Sequence, residues 1–310
     1  MSHSHIAPTS PATTPRPPVS TLRASLRGAR VACHIAYGLL LACIYRVLSR
    51  HTQLRIVRHW ARTLLDILNV GMETHGIQTP ASTREGLFVA NHISWLDVVA
   101  MNAALPSFFV AKSEVGKWPL VGWMCRRIDT LFIRRDMRRD TTRISFALAD
   151  LLEQGERVSV FPEGTTTDGT QVKHFHSSLL QSAVEIEAPV FPLTIRYHDG
   201  KGNANLDAAF TGDMGFVQSL WKVLRSPSLH ITLVYLPLLD STGKTRRVLA
   251  AEAHEDIQQT LLLLAKNSFQ AMPDAAPKKA WHAIKPSASP SYALLLSPML
   301  EAKNEHHHDA

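Results

Sequence analysis

Three short stretches carry residue types that do chemistry. In "LFVANHISWLDVVA" a strand-like apolar run stops at Asn91 and His92, and Asp97 follows a few residues later. If a helix opens near Ser94 or Trp95, Asp97 lies in its first turn and its carboxylate reaches back to the imidazole. Aspartate then accepts from one ring nitrogen and fixes the tautomer, leaving the other nitrogen to take a proton. On spacing alone a bland reading stays open, because aspartate near a helix start also serves capping and the helix dipole. In "VSVFPEGTTTDGT" an apolar segment runs into Pro162, Glu163, Gly164 and Thr165. Hydroxyls and exposed amides in such a turn suit an anionic head group. Glu163 there can hold backbone donors or a substrate hydroxyl, and a plain tight turn remains the alternative. In "TLFIRRDMRRD" Arg134, Arg135, Arg138 and Arg139 follow another strand-like segment. A planar guanidinium fork suits phosphate. Asp136 and Asp140 interleave with Arg138 and Arg139 as on a solvated face, so Arg135 is the functional candidate.

Elements that could position these residues alternate along the middle of the chain. "GLFVA", "SFFVA", "TLFIR", "VSVF", "VFPLTIRY" and "LHITLVYL" are short and rich in β-branched and aromatic residues, and read as strands. "DTTRISFALADLLEQG" reads as a helix capped by Asp140, with Ile144, Leu148 and Leu151 on one face and Gly155 at its end. "WLDVVAMNAAL" and "SSLLQSAVEIE" are further helices, and Val248 to Phe269 closes the domain. This alternation predicts an α/β fold: a mixed, largely parallel central sheet flanked by helices, with functional groups at strand ends.

Ahead of that region, "VACHIAYGLLLACIYRVL" from Val31 to Leu48 is the one membrane candidate in the sequence. Its apolar core is shorter than the ~20 residues of a spanning helix, and His34 and Arg46 interrupt it. Arg23, Arg27 and Arg30 precede it, and Arg50, Arg55 and Arg58 follow. A marginal span or an in-plane anchor with basic flanks on anionic lipid fits this pattern, and a buried amphipathic core helix is the alternative. No small-residue cleavage site follows soon after, so a removable signal peptide is not expected. The organisation expected is a disordered tail over 1–27, a membrane-associated helical segment over 28–80 and an α/β domain over 81–240. A C-terminal helix over 241–271 and a flexible tail over 272–310 complete it.

The chain has 310 residues, enough for a full core, and a formal charge of +7 that favours an anionic partner. Zinc spacing, a recognition-helix pattern and an aromatic ribonucleoprotein motif are all lacking, so no nucleic-acid partner is expected. Cys33, Cys43 and Cys125 form no disulfide framework and have no metal-ligand spacing, as in a reducing, cytosol-facing location. His306, His307 and His308 have no acidic or thiol companion, and read as tail rather than a metal site.

Together these blocks resemble the glycerophosphate and lysophospholipid acyltransferase family, which includes bacterial 1-acylglycerol-3-phosphate acyltransferases. The family's His, four residues, Asp block is matched by His92 and Asp97 after Asn91. Its strand ending in arginine is matched by Phe132-Ile133-Arg134-Arg135, its Phe-Pro-Glu-Gly-Thr by Phe161 to Thr165, and its strand proline by Val190-Phe191-Pro192-Leu193. The linking segment is similar through Lys112, Glu114, Pro119 and Gly122, so the resemblance runs from Arg84 to Tyr197. Many relatives carry arginine where this chain has Thr166, and Phe-Lys where it has Phe175 and His176.

The resemblance implies transfer of a fatty acyl group from acyl-CoA or acyl-carrier protein to the free hydroxyl of a lysolipid. The expected acceptor is 1-acyl-sn-glycerol-3-phosphate, giving phosphatidic acid, and lyso-ornithine lipid is the alternative. It implies His92 and Asp97 as catalytic pair, Arg135, Glu163, Gly164, Thr165 and Thr166 around the acceptor, no cofactor and no metal. Its partners would be a lysolipid, an acyl thioester and an anionic membrane, at the cytoplasmic face of a bacterial-type inner membrane. A different class, a serine esterase or thioesterase using Ser94 beside His92, lacks the Gly-x-Ser-x-Gly elbow.

Overall fold

The computed structural model of the chain describes residues 17–76, 85–117, 120–128, 130–134 and 138–266. In order these form α1 (Thr21–Ile44), α2 (Arg50–Leu68), β1 (Val70–Gly76), β2 (Gly86–Ala90), α3 (Leu96–Ala104), β3 (Phe108–Lys112), α4 (Ser113–Gly116), α5 (Val121–Arg127) and β4 (Leu131–Ile133). There follow α6 (Arg138–Glu153), β5 (Arg157–Val160), α7 (Gln181–Glu185), β6 (Val190–His198), α8 (Phe216–Arg225), β7 (Leu229–Tyr235) and α9 (Arg246–Lys266).

The strands make one seven-stranded sheet in the order β1-β7-β6-β2-β5-β3-β4. Every neighbouring pair is parallel except β6 and β7, which run antiparallel. β2 sits at the centre and is buried along its whole length, so its sequence is an unbroken apolar run rather than an alternating one. Phe88, Ile195, Ile231 and Leu233 face one helical layer with Leu64 and Leu68 of α2, Leu96 and Met101 of α3 and Leu224 of α8. Leu87, Val89, Val158 and Val190 face the other, with Ile144 and Leu148 of α6 and Ile257 of α9. Both faces of the sheet are therefore covered, and the loops at the strand ends are what remain for chemistry.

Three expected boundaries change. The α/β sheet starts at Val70 rather than 81, because β1 pairs with β7 from Val70 to Gly76. Helix α1 starts at Thr21, inside the stretch expected to be disordered, where Ala24 is fully buried against the domain. Helix α6 also opens earlier than Asp140, at Arg138. The expected tail over 272–310 lies outside the described residues.

Candidate active site

The site grows from the end of β2. Asn91 is buried, and its side-chain amide imitates a further ladder step. Asn91 Nδ2 donates to the Ile195 carbonyl at 2.9 Å, and the Ile195 N–H donates to Oδ1 at 2.8 Å. The next residue, His92, is thereby delivered at a fixed angle where the strand leaves the sheet. Its backbone is gripped on both sides by the turn after β5. The His92 N–H donates to Glu163 Oε1 at 2.7 Å, and its carbonyl accepts from the Thr167 N–H at 2.8 Å. The imidazole lies flat on Phe161, with ring centroids 4.0 Å apart and 11° between planes.

His92 Nδ1 is 2.8 Å from Asp97 Oδ2, and the carboxylate accepts, so the ring proton sits on Nδ1. Nε2 has no hydrogen-bond partner among the described residues, and the side chain is 20% exposed while Asp97 is completely buried. The chain thus offers solvent the second ring nitrogen of an imidazole backed by a buried carboxylate. Asp97 lies in the first turn of α3, and Oδ2 also accepts the backbone N–H groups of Ile93 at 2.7 Å and Ser94 at 2.9 Å. Three donors on one oxygen hold the carboxylate rigidly, and they partly offset the cost of burying its charge.

The remaining oxygen of Asp97 has a partner that motif spacing does not reveal. Tyr197, on the fully buried stretch of β6, donates its hydroxyl to Oδ1 at 2.7 Å. Burial, with the Asp97 charge behind it, pushes the Tyr197 hydroxyl well above its ordinary pKa, so it remains a donor. A tyrosine in an apolar strand was the available signal, since a buried phenol needs a partner. Tyr197→Phe is expected to lower stability by about 2 kcal/mol, because a buried charged acceptor loses its donor. It should also lower kcat roughly tenfold with both KM values unchanged, since the ring's anchor rather than the substrate is affected. Chemical denaturation and steady-state kinetics check the pair of effects.

Ser94 does not suit a nucleophile. Its side chain is fully buried, and its Oγ accepts the Leu96 N–H at 3.3 Å. The hydroxyl points into the support of the dyad, away from solvent, which removes the serine esterase reading.

Glu163 joins two loops rather than standing free. Oε1 accepts from the His92 backbone and Oε2 from the Lys173 N–H at 2.9 Å, and the residue is 3% exposed. Burial raises its pKa to about 7, the Asp97 charge adds to this, and the two backbone N–H groups oppose it. An acid with a raised folded-state pKa contributes stability that is complete below its unfolded pKa and lost as pH rises through the folded value. The protein should therefore lose roughly 3 kcal/mol between pH 4.5 and a pH above 7 from this group, at ~1.4 kcal/mol per pKa unit. Glu163→Gln should flatten that slope, as read by denaturant titrations at pH 5 and pH 8.

The other candidates around the turn divide. Gly164 adopts φ 73°, a left-handed conformation that glycine takes without penalty, and Thr165 is exposed beside it. Thr166 Oγ1 donates to the Phe210 carbonyl, and the Phe210 N–H donates to the Ile93 carbonyl at 3.0 Å, so position 166 is tied to the segment leading to α8. Arg134 is exposed just past β4, three strands from β2 and so about 14 Å across the sheet. Arg135 lies outside the described residues. Among the described residues no group of His, Cys, Asp and Glu is arranged to hold a metal ion.

The acyltransferase family model matches residues 71–196, which enclose the dyad, the Glu163 turn and most of β6. The chain is 36% identical over 253 residues to the lyso-ornithine lipid O-acyltransferase of Pseudomonas aeruginosa, covering 78% of this chain and 95% of that protein. The chain belongs to the acyltransferase family. It is also 34% identical over 205 residues to the 1-acyl-sn-glycerol-3-phosphate acyltransferase of Neisseria meningitidis serogroup B, covering 66% of this chain and 80% of that acyltransferase. The crystal structure of the 1-acyl-sn-glycerophosphate acyltransferase of Thermotoga maritima shares the acyltransferase fold. It has a TM-score of 0.55 at 21% identity over 77% of this chain and 97% of the other.

Proposed function

We propose that this acyltransferase moves an acyl group from a thioester, acyl-CoA or acyl-carrier protein, to the free hydroxyl of 1-acyl-sn-glycerol-3-phosphate. The single observation carrying it is the His92 imidazole held at 2.8 Å by a buried Asp97 with its second nitrogen unpartnered among the described residues. The lysolipid oxygen attacks the thioester carbon as Nε2 takes the hydroxyl proton. The tetrahedral intermediate then expels the thiolate, which recovers that proton from the imidazolium, so the ring ends as it began. Base assistance of this kind is worth ~10²–10⁴ in rate. Arg135 and the turn of Glu163, Gly164, Thr165 and Thr166 receive the acceptor head, Glu163 chiefly by holding its two loops in place.

Thr166 favours a second acceptor. Its hydroxyl is used by the Phe210 carbonyl, and it supplies no positive charge where many relatives have arginine. A zwitterionic head such as that of lyso-ornithine lipid needs less positive charge there, and several relatives are named for that acceptor.

The membrane belongs to this reading. Helix α1 is long and apolar enough to cross a bilayer, and its most apolar window is only 28% buried. It is nevertheless tied to the domain at its middle and through the residues flanking both ends. Val19 N–H donates to the Arg225 carbonyl at 2.9 Å, His34 pairs with the Trp60 carbonyl at 3.0 Å, and Arg46 donates to the Arg126 carbonyl at 3.0 Å. A Cβ on Gly38 would fall 2.5 Å from Trp60 Nε1, so glycine permits the close crossing with α2. Its outer side exposes Leu22, Leu26, Leu40 and Val47. A helix fixed to the domain in this way rests in the plane of the membrane, at the cytoplasmic face where acyl thioesters are found, rather than spanning it.

An acceptor panel read by lipid mass tests the reading. Purified protein with acyl-CoA or acyl-carrier protein should convert lysophosphatidate to phosphatidic acid. Turnover of lyso-ornithine lipid alone would transfer the assignment to the second acceptor, and turnover of neither would remove both.

A further inference from the structure

We infer that α8 is a second membrane-contacting element, which together with the first turns of α1 seats the catalytic loop on an anionic bilayer. This rests on the lysolipid reading above and adds the surface that delivers the acceptor. Both helices bury their inner sides in one core, Ala24 and Val31 from α1 beside Val223 and Leu224 from α8. They are joined directly, since Arg27 donates to the Leu224 carbonyl at 3.1 Å and a Cβ on Gly28 would lie 3.5 Å from Leu224. Two adjacent helices packed on one core turn their outer sides the same way.

Large apolar residues stand on those outer sides. Leu22 is 81% and Leu26 64% exposed on α1, and Val217 is 78% and Trp221 37% exposed on α8. Neither helix contains an acidic residue, whereas α1 carries Arg23, Arg27 and Arg30 and α8 carries Lys222 and Arg225. Apolar side chains and a tryptophan among cations match the interface of an anionic membrane. The same charge disfavours a second copy of this chain, whose patch would repel its twin.

Position relative to the dyad gives the surface its role. The inner side of α8 touches the catalytic loop, for Trp95 Nε1 donates to Ser219 Oγ at 3.1 Å and the Trp95 and Phe216 rings meet at 5.2 Å. Trp95 stands between His92 and Asp97 in the chain. An α8 resting on the bilayer therefore brings His92 to the lipid surface, and a lysolipid reaches it without entering bulk water.

The test uses the full-length protein and Val217→Glu/Trp221→Glu, with Val217→Ala/Trp221→Ala as the milder pair. Binding is read by cosedimentation with phosphatidylglycerol and phosphatidylcholine vesicles. Activity is read on lysolipid embedded in phosphatidylglycerol vesicles and on a short-chain lysolipid kept monomeric. The expected result is binding and vesicle activity each reduced about tenfold or more in the Glu pair, and less in the Ala pair. Activity on the monomeric acceptor and the thermal midpoint should be unchanged, and wild type should prefer the anionic vesicles. Undiminished vesicle binding by the Glu pair would overturn the inference. So would an equal loss on the monomeric acceptor, or equal wild-type binding to both vesicles. Wild-type protein that binds vesicles yet acylates neither acceptor would instead defeat the lysolipid reading.

Discussion

His92→Ala is expected to lower kcat for acyl transfer by ~10²–10⁴, with little change in acceptor KM and a folded protein. The size follows from what the ring does, because no other described side chain presents an oriented basic nitrogen at the end of β2. Retention of the fold follows from how residue 92 is held. Its backbone supplies the bonds to Glu163 and Thr167, and these survive truncation of the side chain. What the fold loses is the stack on Phe161 and one donor to Asp97 Oδ2, which keeps the Ile93 and Ser94 N–H groups. Acceptor-saturated kinetics with a thermal melt as control reads the outcome. Wild-type kcat in the variant would mean that the hydroxyl loses its proton elsewhere.

Asp97→Asn is expected to cost about 10² in kcat, less than loss of the base itself. The Oδ2 position receives three donors, from His92, Ile93 and Ser94, so the asparagine oxygen must take that place. Its amide then faces Tyr197, whose hydroxyl turns from donor to acceptor. Geometry and tautomer persist, and what disappears is the negative charge that stabilises the imidazolium formed in the transition state. Asp97→Ala is the harsher change, since it leaves those donors buried without an acceptor, at about 1–3 kcal/mol each. A loss of stability larger in Asp97→Ala than in Asp97→Asn, measured by denaturant titration, separates the two effects.

Much of this arrangement was legible before any coordinates, for a physical reason. Strands β2 to β7 are buried on both faces or rich in β-branched and aromatic residues, so composition marks them. Strand β1 escaped because Val70–Gly76 is an edge strand with glycines and charge. Gly71 is there because a Cβ would stand 2.4 Å from His230 Nδ1 of its neighbour β7. Helix α2 falls inside the helical segment expected over 28–80, but its own bounds were not marked, because its first half is studded with arginine and histidine and its buried stripe begins only at Ala61. At the site, the His92–Asp97 pair is local and its spacing can be read. Tyr197 is distant in sequence and is brought to Asp97 only by the pairing of β6 with β2. The use of Glu163 as a clasp for backbone N–H groups rather than a free carboxylate is likewise a tertiary fact.

Helix α1 shows the same division. Composition identified an apolar segment with basic flanks between Val31 and Leu48, while its relation to the domain depended on contacts far away in sequence. The bond of His34 in α1 to Trp60, with those of the flanking Val19 and Arg46 to Arg225 and Arg126, makes α1 an attached outer layer of the domain. The extension back to Thr21 was hidden because its exposed leucines alternate with arginines.

The claim on which the mechanism depends is that a lipid hydroxyl gives its proton to His92 while its oxygen attacks the thioester directly. Single-turnover acyl transfer in mixtures of light and heavy water, with intact-protein mass recorded in parallel, tests it most directly. A slower rate in heavy water with a linear proton inventory, and no acylated protein with donor alone, is the predicted result. An acyl adduct that accumulates without acceptor, or a rate indifferent to heavy water when chemistry is limiting, would contradict it.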